Sequence, residues 1–377
     1  MGFKRRNEQG MPFHPFHTYH HERNYGCRIT ECVLRGYRTL ILENNLIRVT
    51  VLADKGTDIY ELLYKPLDMD AMWRAPLGLR ERHSVTSPRE HASGKFLDYA
   101  FGGWFEMFPN VGYHFEKHGF PWSLHGEVSL QAWEYKIVKD EPEEIIIGFQ
   151  VRTARTPFHL EKTLRLVNDK PTLFFEERIT NEGDQPMDVS WGQHPVYGWP
   201  FVDDSCRLYL PPCRALTFEE KLAPTTRLKP GQDREWPFVE TLDGQIIDAS
   251  RIPGPETRSH DHIYLTGYQE GWYALTNENR GIGLGLSFDP GLYKFLTFWQ
   301  VYRGAFDYPW WGMTYNIAIE PQTSYPNHLP DQIEAGNALH FESGGTIETN
   351  YLATFYEDIA PVRKVRNDGK LIFDEGE

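Results

Sequence analysis

Short alternating runs follow one another with no long amphipathic helix between them, and this limits what the chain can become. Leu46 to Leu52 reads Leu-Ile-Arg-Val-Thr-Val-Leu, and Asp54-Lys55-Gly56 supplies a turn before Ile59 to Tyr64. Glu144 to Val151, Leu160 to Val167 and Thr172 to Ile179 repeat the pattern, interrupted at Asn168-Asp169-Lys170-Pro171 and Asn181-Glu182-Gly183-Asp184. Ile263 to Tyr268, Trp272 to Thr276, Ile282 to Phe288, Leu292 to Val301 and Leu352 to Phe355 read the same way. Parallel pairing needs long crossovers, which are absent here, so the expected fold class is all-β: a large antiparallel β-sandwich with few short helices.

No stretch of the 377 residues is rich enough in Gly, Ser or Pro to mark a domain cut. The expectation is a single domain over 1–377, with a core of about 40–357, an N-terminal arm 1–39 and a C-terminal tail 358–377 on the surface. Lys221 to Pro255 carries no pattern and reads as a long surface excursion near the site.

Charge and cysteine usage narrow the partners. Asp and Glu total 53 against 39 Lys and Arg, with no sustained basic stripe, so nucleic acid is not expected as a partner. No run of eighteen apolar residues occurs, and the N-terminus has no apolar h-region. A cytoplasmic protein with no membrane partner is expected. Cys27, Cys32, Cys206 and Cys213 follow neither a zinc nor a disulfide pattern and read as reduced thiols. His14, His17, His20 and His21 lie in a Pro- and Arg-rich segment without carboxylates at ligand spacing, which favours a draped arm over a metal site.

Three features concentrate chemistry. In Thr314 to Glu320, a period of two sends Tyr315, Ile317 and Ile319 to one face and Asn316, Ala318 and Glu320 to the other. Pro321, lacking an N–H, is expected to stop the ladder there. Glu320 is then either a solvated strand end or a carboxylate that meets a polar ligand. Phe, Trp and Tyr make up 14% of the chain, many in polar, Gly- and Pro-rich stretches such as Phe101 to Asn110 and Tyr308 to Gly312. Such rings serve either as core or as flat surfaces for the C–H face of a sugar. His125 precedes Gly126 and His194 precedes Pro195, placing two titratable groups on β structure, as hydrogen-bonded structural residues or as acid–base groups.

The chain resembles the aldose 1-epimerase, or galactose mutarotase-like, family. Leu124-His125-Gly126 followed by Trp133, His194-Pro195-Val196-Tyr197, His260-Asp261-His262-Ile263-Tyr264, and Ile319-Glu320-Pro321-Gln322 with Pro326-Asn327 stand in that family's order. The resemblance covers roughly residues 40 to 357. It implies a small-molecule carbohydrate as ligand, Glu320 as general base, His194 as general acid, and His125 polarising the sugar near its ring oxygen. It further implies Asp261 and Gln322 as substrate-binding residues and requires neither metal nor organic cofactor. Asp261 points opposite to His260 and His262 on a strand; Asp261 is taken as the sugar-facing residue and the histidines as packing or outer shell. His114 and His118 belong either to a pocket wall or to a surface loop.

One departure stands out. Where the family carries an arginine before the Leu-His-Gly segment, this chain has Phe108-Pro109-Asn110-Val111-Gly112-Tyr113, so Asn110, Glu106 or Trp104 is expected in that arginine's place. The implied activity is interconversion of the anomers of an aldose or sugar derivative. The alternatives are a carbohydrate-binding or regulatory module without turnover and a hexose-phosphate epimerase on the same scaffold. A phosphate would need converging cations, for which Arg74, Arg155 and Arg303 are candidates.

Overall fold

The computed structural model describes residues 23–84 and 94–374. The histidine cluster at 14–21 lies outside them. Two antiparallel sheets carry the chain. The larger has twelve strands, in the order Arg28–Leu34, Tyr37–Glu43, Ile47–Leu52, Asp58–Tyr64, Trp104–Met107, Gly192–Gly198, Tyr315–Gln322, Phe295–Tyr302, Ser259–Thr266, Arg214–Thr217 and Asp233–Glu235, with Met69–Asp70 paired beside Asp58–Tyr64. The smaller has eight, running Cys206–Tyr209, Trp272–Asn277, Ile282–Ser287, Thr346–Tyr356, Thr172–Asn181, Phe158–Val167, Glu144–Arg152 and Glu134–Glu141. Among the described residues no helix is long and apolar enough to cross a membrane.

The period-two pattern builds the sandwich core directly. Ile145, Ile147, Phe149, Leu160, Leu164, Leu166, Phe175 and Ile179 are buried together from the smaller sheet, and Val49, Val51, Ile263, Phe298, Ile317 and Ile319 meet them from the larger. Each such side chain taken fully from water contributes about 1.5–3 kcal/mol. One polar and one aromatic contact also join the layers: Tyr197 OH lies 2.7 Å from Tyr273 OH, and the Trp104 ring packs 4.9 Å from Phe175. Tyr197, Trp104, Ile317 and Ile319 thus face the smaller sheet, which leaves their neighbours in sequence to the opposite face of the larger one.

Several boundaries differ from expectation. Residues 28–43, mostly assigned to an arm, form an edge hairpin whose turn residues Arg35 and Gly36 have φ of 48° and 83°. Pro321 does not stop its strand. It pairs with Leu296 and the ladder runs to Gln322, because the neighbouring strands keep their own register. The tail after Ala360 is not simply a surface segment: Val362–Val365 and Leu371–Phe373 pair, and Val362 and Val365 are buried beside Trp272 and Leu352. The excursion 221–255 contains a second small hairpin, Phe238–Glu240 with Ile246–Asp248.

Candidate active site

Adjacent strands of the larger sheet deliver side chains to the face turned away from the smaller sheet. Gly192 pairs with Gln322 and Val196 with Ala318, so His194 stands opposite Glu320 between them. Phe105 pairs with His194, Trp299 with Ala318, and His262 with Trp299. The period of two then puts Phe105, His194, Val196, Ala318, Glu320, Trp299, His260 and His262 on one surface. The short helix Gly94–Asp98 adds Phe96 and Leu97, and the loops add Trp73, Tyr113, His125, Leu222, Trp310 and Asn327. The result is a cavity of about 230 Å³.

At its floor, His194 Nε2 is 3.4 Å from Glu320 Oε1. The His194 ring stacks on Phe105 at 4.3 Å and meets His125 edge-on at 5.2 Å. Burial pushes the Glu320 carboxyl well above the usual carboxylate range. Burial, aided by His125, pushes His194 well below the usual imidazole range. The form favoured in this cavity is a neutral pair that holds one proton.

His125 sits at φ 58°, and Gly126 at φ 79° brings the backbone so close to Phe108 that a Cβ there would lie 2.1 Å from its carbonyl oxygen. His125 Nδ1 lies 2.6 Å from the Val111 carbonyl, which can only accept. Nδ1 therefore carries the hydrogen, and burial lowers the ring to about 4, so Nε2 offers a lone pair to the cavity. In this neutral tautomer His125 presents an acceptor to the cavity, where polarisation of a ring oxygen would call for a donor.

The structure turns the Ser259–Thr266 strand the other way from expectation. His260 and His262 line the cavity, while Asp261 is fully buried on the reverse face. There Asp261 accepts from Arg227 Nε at 2.7 Å, Ser259 Oγ at 2.8 Å, and Thr226 Oγ1 and the Arg227 backbone N–H, both at 2.9 Å. With its carboxylate saturated by these donors, Asp261 is a structural anchor for the excursion.

The residues assigned in place of the missing arginine also lie outside the cavity wall. Asn110 Nδ2 donates to the carbonyls of Gly112 at 3.2 Å and Ser123 at 3.0 Å, stapling the His125 loop. Trp104 donates to Gln193 Oε1 at 3.0 Å in the sandwich core. Glu106 lies behind the His194 strand, 2.5 Å from Lys162 Nζ, and Gln193 Nε2 donates to Glu106 at 2.8 Å and to Glu177 at 3.1 Å. This buried cluster pins the strand that carries His194. Gln322 reaches the cavity only through Asn327, donating to its Oδ1 at 3.1 Å. His114 and His118 do not line the cavity. Among the described residues, no three His, Cys, Asp or Glu side chains converge as a metal ion would require.

The family called Domain of unknown function (DUF4432) matches residues 34–352. The chain belongs to this family. No curated protein matches this DUF4432 chain. Among solved structures, a Klebsiella pneumoniae protein provisionally assigned as an aldose 1-epimerase superposes with a TM-score of 0.70 at 17% identity, covering 88% of this chain and 83% of that one. A galactose mutarotase-like protein from Clostridium acetobutylicum gives 0.60 at 14% identity, covering 88% and 99%. A galactose mutarotase related enzyme from Lactobacillus acidophilus gives 0.55 at 14%, covering 86% and 100%. At these identities the likeness is one of fold, and the DUF4432 chain has the mutarotase-like β-sandwich.

Proposed function

We propose that this chain is an isomerase that interconverts the two anomers of an aldose by acid–base ring opening, with His194 and Glu320 as the proton-transfer pair. The observation that carries the reading is the 3.4 Å separation of His194 Nε2 and Glu320 Oε1 at the floor of an aromatic-walled cavity.

Anomer exchange moves two protons at two oxygens bonded to the same carbon, which suits a closely spaced acid and base. Starting from the neutral pair, Glu320 gives its proton to the ring oxygen while His194 takes the proton of the C1 hydroxyl. The C1–O5 bond breaks with its electrons on O5, and a carbonyl forms at C1. The pair is now ionised, with the single proton on His194. Rotation about C1–C2 presents the other face of the carbonyl, and closure runs both transfers backwards, restoring the neutral pair. The resemblance implies the opposite roles, Glu320 taking the C1 hydroxyl proton and His194 protonating the ring oxygen. That ring opening starts from the ionised pair and exchanges the two residues between the oxygens, whereas burial favours the neutral pair as the starting form. Each positioned transfer is typically worth roughly 100- to 10,000-fold. His125, through its Nε2 lone pair, accepts from a sugar hydroxyl beside the reacting carbon.

The test is the rate of mutarotation of freshly dissolved aldoses with and without the protein. Acceleration of at least one aldose in proportion to protein concentration is expected. Binding without acceleration would make the chain a carbohydrate-binding module instead.

A further inference from the structure

The cavity contains two imidazoles that the proton-transfer chemistry does not use. His260 Nε2 lies 2.8 Å from Trp299 Nε1, an indole N–H that can only donate. Nε2 therefore accepts, and Nδ1 of the neutral ring carries the hydrogen. His262, stacked on Phe218 at 4.7 Å, has a buried Nδ1 without a partner. Burial keeps both rings uncharged, pushing His260 down to about 4 and His262 to about 3.

The charge on the rest of the wall is as informative. Among the described residues that line the cavity there is no arginine, and the single lysine, Lys55, is bound to the fully buried carboxylate of Asp58 and lies over the Phe101 ring at 4.8 Å. Arg74 pairs with Asp70, Arg155 donates to the Pro121 carbonyl and Arg303 to the Gly312 carbonyl, and none of the three lines the cavity. Trp73, Trp310 and Trp299 form a continuous aromatic wall, with ring centroids 5.5 and 6.0 Å apart. A phosphate, sulfonate or carboxylate brought here would lose its hydration and meet no free cation. A neutral sugar would rest its C–H face on the rings and exchange hydrogen bonds with imidazole edges.

We propose that the site takes a neutral aldose, and that His260, oriented by Trp299, and His262 read its hydroxyls where a charged clamp would otherwise stand. The proposal rests on the anomer-exchange reading and names its substrate class. Trp299 is a positioning residue that acts by fixing which His260 nitrogen carries the hydrogen.

The test is NMR anomer exchange, with histidine chemical shifts followed in parallel, across D-glucose, D-galactose, L-fucose, D-glucose 6-phosphate and D-galacturonate. Exchange is expected for at least one neutral sugar, with kcat/KM at least tenfold above that of either anion. Trp299→Phe, which keeps a ring but loses the N–H, is expected to raise KM severalfold with kcat within about twofold, and His260→Asn to retain more affinity than His260→Ala. An anionic sugar turned over as well as the neutral ones would overturn the proposal, as would an unchanged KM in Trp299→Phe. Histidine shifts with neutral sugars alone, without exchange, would remove the mutarotase reading and keep the neutral-sugar site. No exchange and no shifts with any sugar would remove both.

Discussion

His194 and Glu320 occupy opposite positions on neighbouring antiparallel strands, and their side chains meet at 3.4 Å between Nε2 and Oε1 on the face turned away from the sandwich core. Rigid β structure therefore sets the geometry of this pair, and strands, a short helix and loops together supply the walls. Glu320 is buried with His194 beside it, so it is not a solvated strand end, which supports the proposed proton-transfer pair.

The pair predicts a bell-shaped pH profile. The competent form holds one proton, so the rate falls at low pH when His194 takes a second and at high pH when Glu320 loses the last. Burial places the acid limb below the ordinary imidazole value and the alkaline limb above the ordinary carboxylate value. Residual activity in Glu320→Gln should show no alkaline limb. An unchanged limb in that variant would take Glu320 out of the proton count.

Asp261 gives a test that separates structure from recognition. Asp261→Asn leaves the Arg227 guanidinium without its carboxylate partner and should cost about 1–3 kcal/mol in a denaturant titration. KM for the sugar should stay within about twofold. A large rise in KM at unchanged stability would return Asp261 to the sugar.

Much of this was legible in the sequence, and the limits have physical causes. Alternation in Tyr315–Gln322 correctly turned Glu320 away from Ile317 and Ile319, because one face of that strand is apolar and the other polar. The same rule stated that Asp261 and the two flanking histidines must part ways, yet could not say which side holds the cavity. Arg227 decides that, and it comes from an excursion without periodic pattern, 34 residues earlier. Asn110 and Trp104 stood in the right segment, but strand pairing and a loop staple turned both away from the cavity. The cavity's aromatic residues include Phe96 from a short helix and Trp73 and Trp310 from separate loops, so no local spacing marks them.

The His125 loop should be intolerant of a side chain at its hinge. Gly126→Ala combines a left-handed backbone, costing about 1–2 kcal/mol, with a Cβ placed 2.1 Å from the Phe108 oxygen. Thermal melts should show a lowered Tm, with weakened sugar binding in whatever folds. A variant as stable as the parent would contradict the loop geometry.

The cavity histidines carry a stability signature. His125, His260 and His262 are held at about 4, 4 and 3, and His194 also lies below its ordinary value, so the unfolded chain binds more protons than the folded one from about pH 6.5 downwards. Their contribution is complete above that pH and is lost as pH falls towards the folded values. Glu320, raised on folding, works in the opposite sense, its contribution being lost as pH rises through its folded value. Glu177, Asp58 and Asp70 are raised on folding as well and act with Glu320, so the histidines' share is read as a difference. Between pH 7 and pH 5 the Tm of His262→Gln should lose less, or gain more, than that of the parent. A slope equal to the parent's would show that His262 charges as readily folded as unfolded.

The central claim is tested most directly by saturation-transfer NMR between the two anomeric protons of a bound neutral aldose, comparing the parent with Glu320→Gln at saturating sugar. The account predicts transfer well above the uncatalysed rate in the parent, and at least a hundredfold less in the variant with its affinity kept. Equal transfer in both proteins would contradict it.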